Sequence, residues 1–495
     1  MIKRLLIANR GEIAQRIICA CRALNIEVGV IFSQEDSDSL AVKNADEAYL
    51  LDSRDNTNVY LDINQIITIA IERSYDAIHP GYGFLSENSE FVQECEKNNI
   101  IFIGPDSKTV ELASHKNLTK KIAKKCGIPI IKEFKPNELK KADYPLLLKN
   151  TVGGGGRGIR VLNDKKDFKR LHELVKRESN QTCGRQKVLV EKFIPNARHI
   201  EIQILADKFG KIIHLFEREC SVQRRNQKIV EEAPSTSIQE EIKRKLRKYA
   251  KALAREINYV NAGTFEFLVS QDNHIFFLEV NPRIQVEHTV TEEITGIDIV
   301  KEQITIAEGK HLSFKQSEVK SKGHAMECRI TTENVMNNLS PTTGKIVQCI
   351  FPMGKDIRID GDVFAGKTIY SNYDSLLFKL IVWAENRQNV ISRMRQILEE
   401  IEIIGVSTNL CLLKAILSNS DFHNNQVFTN FLKRQQILEK AQEFEEAKRN
   451  CDEIDFRELE SRKIALIAAS IYQKMEGELS SKTTLWTQKA RMVHN

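Results

Sequence analysis

Residues 264–287 read TFEFLVSQDNHIFFLEVNPRIQVE. Two apolar runs of strand composition, Thr264 to Leu268 and Phe276 to Val280, flank the turn-forming Gln271, Asp272, Asn273 and His274. A hairpin turning between Asp272 and Asn273 sets Glu266 directly opposite Glu279. Like charges in that relation repel, so the pair needs a partner: a hard cation with oxygen ligands, or a neutralising Arg or Lys side chain. Beyond the hairpin, Glu279, Asn281, Arg283, Gln285 and Glu287 recur at every second position, with Val280, Pro282, Ile284 and Val286 between them. In extended chain alternate side chains share a face, so carboxylates, amides and a guanidinium project together. Pro282 biases Asn281 toward extended geometry and suggests an edge or a strand end. That face offers metal ligands (Glu279 and Asn281, with Glu266 across the hairpin), an arginine fork shaped for a bicarbonate-like anion (Arg283), and a carboxylate able to act as base (Glu287). The plain alternative, a solvated edge strand, does not favour this mixture.

Upstream, the strand candidate Leu146 to Lys149 runs into Gly153, Gly154, Gly155, Gly156, Arg157 and Gly158. Residues without Cβ let several backbone N–H groups approach one phosphate, although the Lys-Ser/Thr ending of a P-loop is missing. A flexible turn is the other reading. Lys149 and Arg157 are the cations beside it. A divalent metal, nucleotide phosphates and a small oxyanion are the inputs of an ATP-driven ligase, whose catalysis rests on positioning and charge neutralisation.

The rest of the chain divides by texture. Residues 1–113 alternate strands (Arg4 to Ala8, Glu27 to Phe32, Asp76 to Ile78, Ile100 to Ile103) with helices (Glu12 to Leu24, Asn88 to Lys97), the pattern of a doubly wound parallel sheet. Its first turn, Asn9-Arg10-Gly11-Glu12, lacks a dinucleotide fingerprint. Residues 114–310 hold the glycine lid (about 130–195) and the hairpin. Residues 323–432 read as an α+β block, with strands Ala325 to Ile330, Ile346 to Ile350 and Leu377 to Trp383 and a helix through Met394 to Glu400. Residues 433–495 begin as a densely charged helix suited to i,i+4 pairs. The expected fold class is therefore multidomain α/β and α+β.

Length and composition agree. The 495 residues suggest about three domains. A net charge of +6 from 73 basic and 67 acidic residues is too balanced for a nucleic-acid or membrane footprint. Ten cysteines without a CxxC pair suit a reducing compartment, and the apolar run after Arg4 is too short for a signal segment. A cytoplasmic protein is expected.

Several motifs together carry a resemblance: IANRGEIA (Ile7 to Ala14), IHPGYGFLSEN (Ile78 to Asn88), the glycine lid, Glu191-Lys192-Phe193, CSVQRRNQKIVEEAP (Cys220 to Pro234), GTFEFL (Gly263 to Leu268), EVNPRIQVEH (Glu279 to His288) and Tyr373-Asp374-Ser375. Over residues 1–440 the chain resembles the biotin carboxylase subunit of biotin-dependent carboxylases. The resemblance implies a Rossmann-like N-terminal domain, an ATP-grasp domain with a mobile lid, and an α+β C-terminal domain. In that family ATP activates bicarbonate to carboxyphosphate, which yields CO2 and phosphate, and biotin is carboxylated on a ureido nitrogen. Carried onto this chain, Lys116, Lys149, Gly155, Gly156, Glu191, Phe193, Ile194, His199, Gln223 and Asn226 would bind ATP, together with Glu266 and Glu279. Glu266, Glu279 and Asn281 would hold Mg2+ or Mn2+. Lys228, Arg283, Gln285 and Val286 would bind bicarbonate, Glu287 would be its base, and Arg358 would steady the biotin enolate.

The chain departs from the family pattern at Ser114-His115, Asn226, Thr289 (where Pro usually follows the histidine), Thr343 and a short Lys132 to Tyr144 stretch. No Ala-Met-Lys-Met occurs, so the biotinylated lysine is expected on a separate biotin carboxyl carrier protein, and another chain is expected as the carboxyltransferase subunit. The resemblance also implies a homodimer, and the tail after residue 440 reads either as a docking helix or as a solvated extension.

Overall fold

A computed structural model describes residues 1–52, 58–135, 139–140, 143–150, 159–183 and 188–450, with the side chains of 150 and 178–183 excepted. Residues 1–438 form one compact unit and 439–495 a second. The first layer is a five-stranded parallel sheet built from β1 (Arg4–Ile7), β2 (Glu27–Phe32), β3 (Glu47–Leu50), β4 (Ala77–His79) and β5 (Ile101–Phe102), in the order β3-β2-β1-β4-β5. Both faces are covered, one by helix Gly11–Ala23 through Ile13, Ile17 and Cys21, the other by Ile66, Ala70, Phe91 and Val92. This double burial explains why its strands read as continuous apolar runs. Strand β3 and helix Ile63–Glu72 were not legible in the sequence. The residues of β3 alternate half-buried and exposed at the sheet edge, which removes the apolar signal.

The lid region is a small antiparallel sheet of β6 (Leu146–Asn150), β7 (Arg160–Leu162) and β8 (Val188–Lys192), ordered β7-β6-β8. Leu146, Leu148, Leu162, Val175 and Val190 give it a core of its own. Gly155 and Gly156 lie outside the described residues.

The third sheet has eight strands. Five come from the central block: β9 (Arg198–Ala206), β10 (Ile212–Arg224), β11 (Gln227–Ala233), β12 (Asn261–Val269) and β13 (Ile275–Asn281). Three come from the block expected to be a separate domain: β14 (His324–Thr331) and strands Ile357–Gly361 and Leu376–Ala384. The order is β13-β12-β9-β10-β11-β14, then Leu376–Ala384, then Ile357–Gly361. The C-terminal block is thus joined to the central one by strand pairing. It continues the same sheet, across an antiparallel β11–β14 seam.

One face of β9 and β12 is apolar. Ile200, Ile202, Ile204, Phe265 and Phe267 pack with Phe277 and with Leu246, Ala250 and Leu253 of helix Glu240–Glu256. Each fully buried large apolar side chain contributes roughly 1.5–3 kcal/mol, enough in sum to offset the several kcal/mol that each buried ion costs on the other face. That face carries His199, Glu201, Gln203, Thr264 and Glu266, all buried. In the second unit, residues 439–450 are helical, with Glu445 and Arg449 paired at 3.6 Å in the expected i,i+4 manner. The remainder of the tail lies outside the described residues.

Candidate functional site

The β12–β13 hairpin places Glu266 opposite Glu279, as the sequence predicts, but by a different route. From Val269–Ile275 to Phe267–Phe277 the pairing follows a turn centred one half-residue earlier, and a bulge at Leu278 then restores Glu266–Glu279, Phe265–Val280 and Thr264–Asn281. The strand ends at Asn281, and the chain turns at Val286 and Glu287 before helix His288–Thr295. The five alternating polar groups thus do not lie on one extended strand. Glu287 has φ −82° and ψ 14° at the start of the helix, and the turn swings its carboxylate back toward the sheet.

Lysine ammonium groups and a histidine ring nitrogen relieve the repulsion across the hairpin. Lys116 Nζ lies 2.6 Å from Glu279 Oε2, while Glu266 receives Lys228 Nζ at 3.1 Å and His199 Nε2 at 3.0 Å. Burial alone would push the Glu266 carboxyl up; Lys228 and His199 hold it well below the usual carboxylate range. Asn281 and Gln285 both donate amide N–H groups to Glu266 Oε1, at 2.9 and 3.1 Å. Two carboxylates and an amide oxygen are the hard donors that Mg2+ selects, so Glu266, Glu279 and Asn281 fit that ion. Among the described residues, a tighter cluster of ligating atoms is His199, Glu201 and Glu266, but Glu201 is already gripped by Arg218 and by Lys228 at 2.6 Å.

Lys228 is the hub. Its ammonium reaches Glu201, Glu266 and Glu287, and these carboxylates hold it well above the ordinary lysine value despite burial. Glu287 is fully buried between Lys228 and Arg329, whose Nη2 lies 2.9 Å from Glu287 Oε2. Burial opposes ionisation of Glu287, but Lys228, Arg329 and Arg218 keep it ionised. Arg283 donates from Nε to Glu87 Oε1 at 2.6 Å and from Nη1 to the Ile284 carbonyl at 3.0 Å. Val286 offers its carbonyl to Lys379 Nζ at 3.0 Å.

The remaining expected residues divide. Gln223 donates to His199 Nδ1 at 2.9 Å and sits opposite Lys228 in the β10–β11 register, so both belong to the cluster. Glu191 is fully buried between Lys149, 2.7 Å away, and Lys120. Burial pulls the Lys149 ammonium down despite Glu191. Phe193 and Ile194 follow β8 in a half-buried stretch, with Phe193 N–H on the Pro145 carbonyl. Asn226 is exposed at the β10–β11 turn with φ 63°, a left-handed position that Asn tolerates; its side chain is not part of the cluster.

Arg358, expected at the biotin enolate, lies on strand Ile357–Gly361 of the same sheet. It is held by Asp360 at 2.7 Å, Glu292 at 2.9 Å and Glu293 at 3.1 Å. The arginine of the C-terminal block that reaches Glu287 is Arg329, on β14, which crosses beside β11. Sequence reasoning also missed Glu201, Arg218, Lys120 and Glu87. The strict alternation His199-Ile200-Glu201-Ile202-Gln203-Ile204 is a half-buried-strand signal that could have found Glu201. Arg218 lies in a strand buried on both faces, where no periodicity marks it.

Comparisons with known proteins identify the family. Family models match in order along the chain: "Biotin carboxylase, N-terminal domain" at residues 1–110, "Carbamoyl-phosphate synthase L chain, ATP binding domain" at 115–315, and "Biotin carboxylase C-terminal domain" at 327–434. The pyruvate carboxylase of Bacillus subtilis is 44% identical over 448 residues, 87% of this chain but 39% of that longer protein. The biotin carboxylase of a Nostoc species is 42% identical over 438 residues, 87% of this chain and 98% of the relative. A crystal structure of the biotin carboxylase domain dimer of Hydrogenobacter thermophilus 2-oxoglutarate carboxylase, in complex with MgADP, ADP and bicarbonate, superposes with a TM-score of 0.86 at 42% identity. It covers 88% of this chain and 98% of that one. With three domains matched in sequence order and a relative covered almost end to end, this chain belongs to the biotin carboxylase family.

Proposed function

We propose a division of labour among these residues for the reaction of a biotin carboxylase, the ATP-dependent carboxylation of biotin with bicarbonate. Lys116, Lys149, His199 and Gln223 contact the nucleotide, and Glu266, Glu279 and Asn281 hold the magnesium ion. When bound, the ion neutralises charge on the phosphates undergoing transfer. Arg283, Gln285, Lys228 and the Val286 backbone hold bicarbonate beside Glu287. The Glu287 carboxylate takes the bicarbonate O–H proton; the freed oxygen attacks the terminal phosphorus, and the bond to ADP breaks, giving carboxyphosphate. Carboxyphosphate then separates into CO2 and phosphate, phosphate takes the ureido N–H proton of biotin, and the nitrogen attacks CO2. Arg329 braces Glu287 from the C-terminal block, and Arg358 of the same block steadies the biotin enolate.

The observation that carries this reading is the convergence on Glu287 of Lys228 and Arg329, which keeps a fully buried carboxylate ionised and able to accept a proton. Lys228 contacts three carboxylates at once, so it can turn one N–H to an incoming anion without losing its place. Ammonium and guanidinium groups fixed in advance need no reorganisation as charge develops.

The partners proposed are a biotin carboxyl carrier protein and a separate carboxyltransferase subunit, with a second copy of this chain in a homodimer, all in the cytoplasm. No described helix is long and apolar enough to cross a membrane. The final acceptor, a 2-oxo acid or an acyl-CoA, is chosen by the carboxyltransferase. Bicarbonate-dependent ATP hydrolysis stimulated by free biotin tests the reading. Glu287→Gln should lower it by about 100-fold or more and Arg283→Ala comparably, with ATP binding retained. ADP release indifferent to bicarbonate, to biotin and to both substitutions would overturn it.

A further inference from the structure

Glu231 and Glu327 are register partners across the β11–β14 seam, so their carboxyl groups rise side by side from one face of the sheet. Both are fully buried. Glu231 Oε1 accepts from Arg329 Nε at 2.6 Å, and Glu327 Oε2 accepts from the Thr289 hydroxyl. The other oxygen of each, Glu231 Oε2 and Glu327 Oε1, is buried without a donor. Two carboxylates directly opposite each other repel, and each unsatisfied buried oxygen carries its own desolvation cost. Lys379, whose charge acts on Glu327, is committed elsewhere: its Nζ lies 3.1 Å from Glu12 Oε2 and 3.0 Å from the Val286 carbonyl.

A single proton resolves both problems, because it removes one charge and supplies the missing donor. We propose that Glu231 and Glu327 share one proton, with Glu327 as the acid and Glu231 as the carboxylate, and that this pair positions the Arg329 guanidinium on Glu287. Were Glu327 ionised, it would compete with Glu287 for Arg329. Were Glu231 neutral, Arg329 would lose its anchor on β11. The proton stays within the pair throughout the reaction. The surroundings agree. Burial raises the Glu327 carboxyl well above its usual value against the pull of Lys379 and Arg329. Burial and Glu287 push Glu231 up to about 7, opposed by Arg329 and Lys228. The Cys328 thiol, next to Glu327 on β14, is likewise raised by burial and by both carboxyl groups. Thr289, one of the departures from the family pattern, is the hydroxyl that fixes Glu327 on its far side, a role proline could not fill.

The inference rests on Glu287 as the base, and the test separates the two. Infrared difference spectra of the resting protein at neutral pH, wild type against Glu327→Gln, should show loss of one protonated-carboxyl carbonyl band, and Thr289→Val should shift that band. Glutamine keeps a neutral donor at this position, so Glu327→Gln should lower kcat by no more than about threefold. Glu231→Gln removes an ionised partner of Arg329 and should lower kcat by about tenfold or more with KM for ATP unchanged. A Glu327→Gln spectrum lacking that loss, or a kcat loss in Glu327→Gln equal to that in Glu231→Gln, overturns the proposal. If Glu231→Gln does not fold, the two spectra decide. If Glu287→Gln remains active while it keeps the carboxyl band, the assignment of the base fails and the shared proton stands.

Discussion

Glu266 faces Glu279 across the β12–β13 hairpin because Leu278 is bulged out of the pairing between them and the turn. The bulge also changes which alternate residues meet the core. Ile275 and Phe277 are buried before it, and Val280, Pro282 and Ile284 after it. A one-residue slip exchanges the faces of a strand. Here that exchange takes Glu279 off the core side and aims it, with Asn281, at the ligand side.

Magnesium dependence should follow from this pair. Glu279→Gln removes one anionic ligand and leaves Lys116 without its 2.6 Å partner. The magnesium concentration giving half-maximal bicarbonate-dependent ATP hydrolysis should rise about tenfold or more, while the circular dichroism spectrum is unchanged. An unaltered magnesium titration would remove Glu279 from the ligand set.

The two arginines of the C-terminal block should behave differently. Arg329→Lys loses the planar fork that joins Glu231 to Glu287, and steady-state assays should find kcat about tenfold lower at ordinary stability. Arg358→Ala strips a cation from Glu292, Glu293 and Asp360. It should lower stability by about 3 kcal/mol, seen as a fall in urea midpoint, and lower kcat per folded molecule for biotin carboxylation about 100-fold, as loss of a charge that steadies the enolate requires. An unchanged kcat per folded molecule would remove Arg358 from the site.

Nucleotide affinity should acquire a steeper pH dependence in Glu191→Gln. Lys149 is pulled down by burial, and Glu191 opposes that pull. Without the carboxylate the ammonium loses its proton at lower pH, so KM for ATP should begin to climb at lower pH than in the wild type as pH rises. Equal KM profiles would show that Lys149 does not meet the phosphates.

Acid stability should depend on Glu232. Its carboxylate is held by Arg387 at 2.6 and 2.9 Å and by His324 at 2.8 Å. Although burial opposes ionisation, the Arg387 guanidinium and the His324 hydrogen bond lower it to about 2 from 4.5. A depressed value means that stability is fully present above about 4.5 and is lost as pH falls toward about 2. Glu232→Gln should be less stable than wild type at neutral pH and should lose the part of the unfolding free energy that varies across that window. Parallel urea-midpoint curves for the two proteins would count against it.

Much of the first layer was legible because a doubly covered parallel sheet leaves continuous apolar runs. Strand Glu27–Phe32 is found where its sequence places it, and Asn88 caps helix Ser89–Lys97 through its side chain. The grouping of Glu266, Glu279 and Asn281 was legible because a short hairpin brings residues close in sequence together. Glu201, Arg218, Arg329 and Glu231 were not, because each meets the site across strands far apart in the chain. Local periodicity carries no information about which distant strand lies alongside.

By itself, the sequence determined the alternation of strands and helices, the hairpin, the glycine-rich turn and the chemistry of the groups available, since turn residues and the two-residue repeat act locally. Only the tertiary structure decided that the central and C-terminal blocks share one sheet, that the bulge at Leu278 changes the buried face, and that Arg329 meets Glu287. The reason is physical: the β11–β14 seam is made by backbone hydrogen bonds, which any residues can form, while the buried charges along it are stable only as partners supplied from both sides.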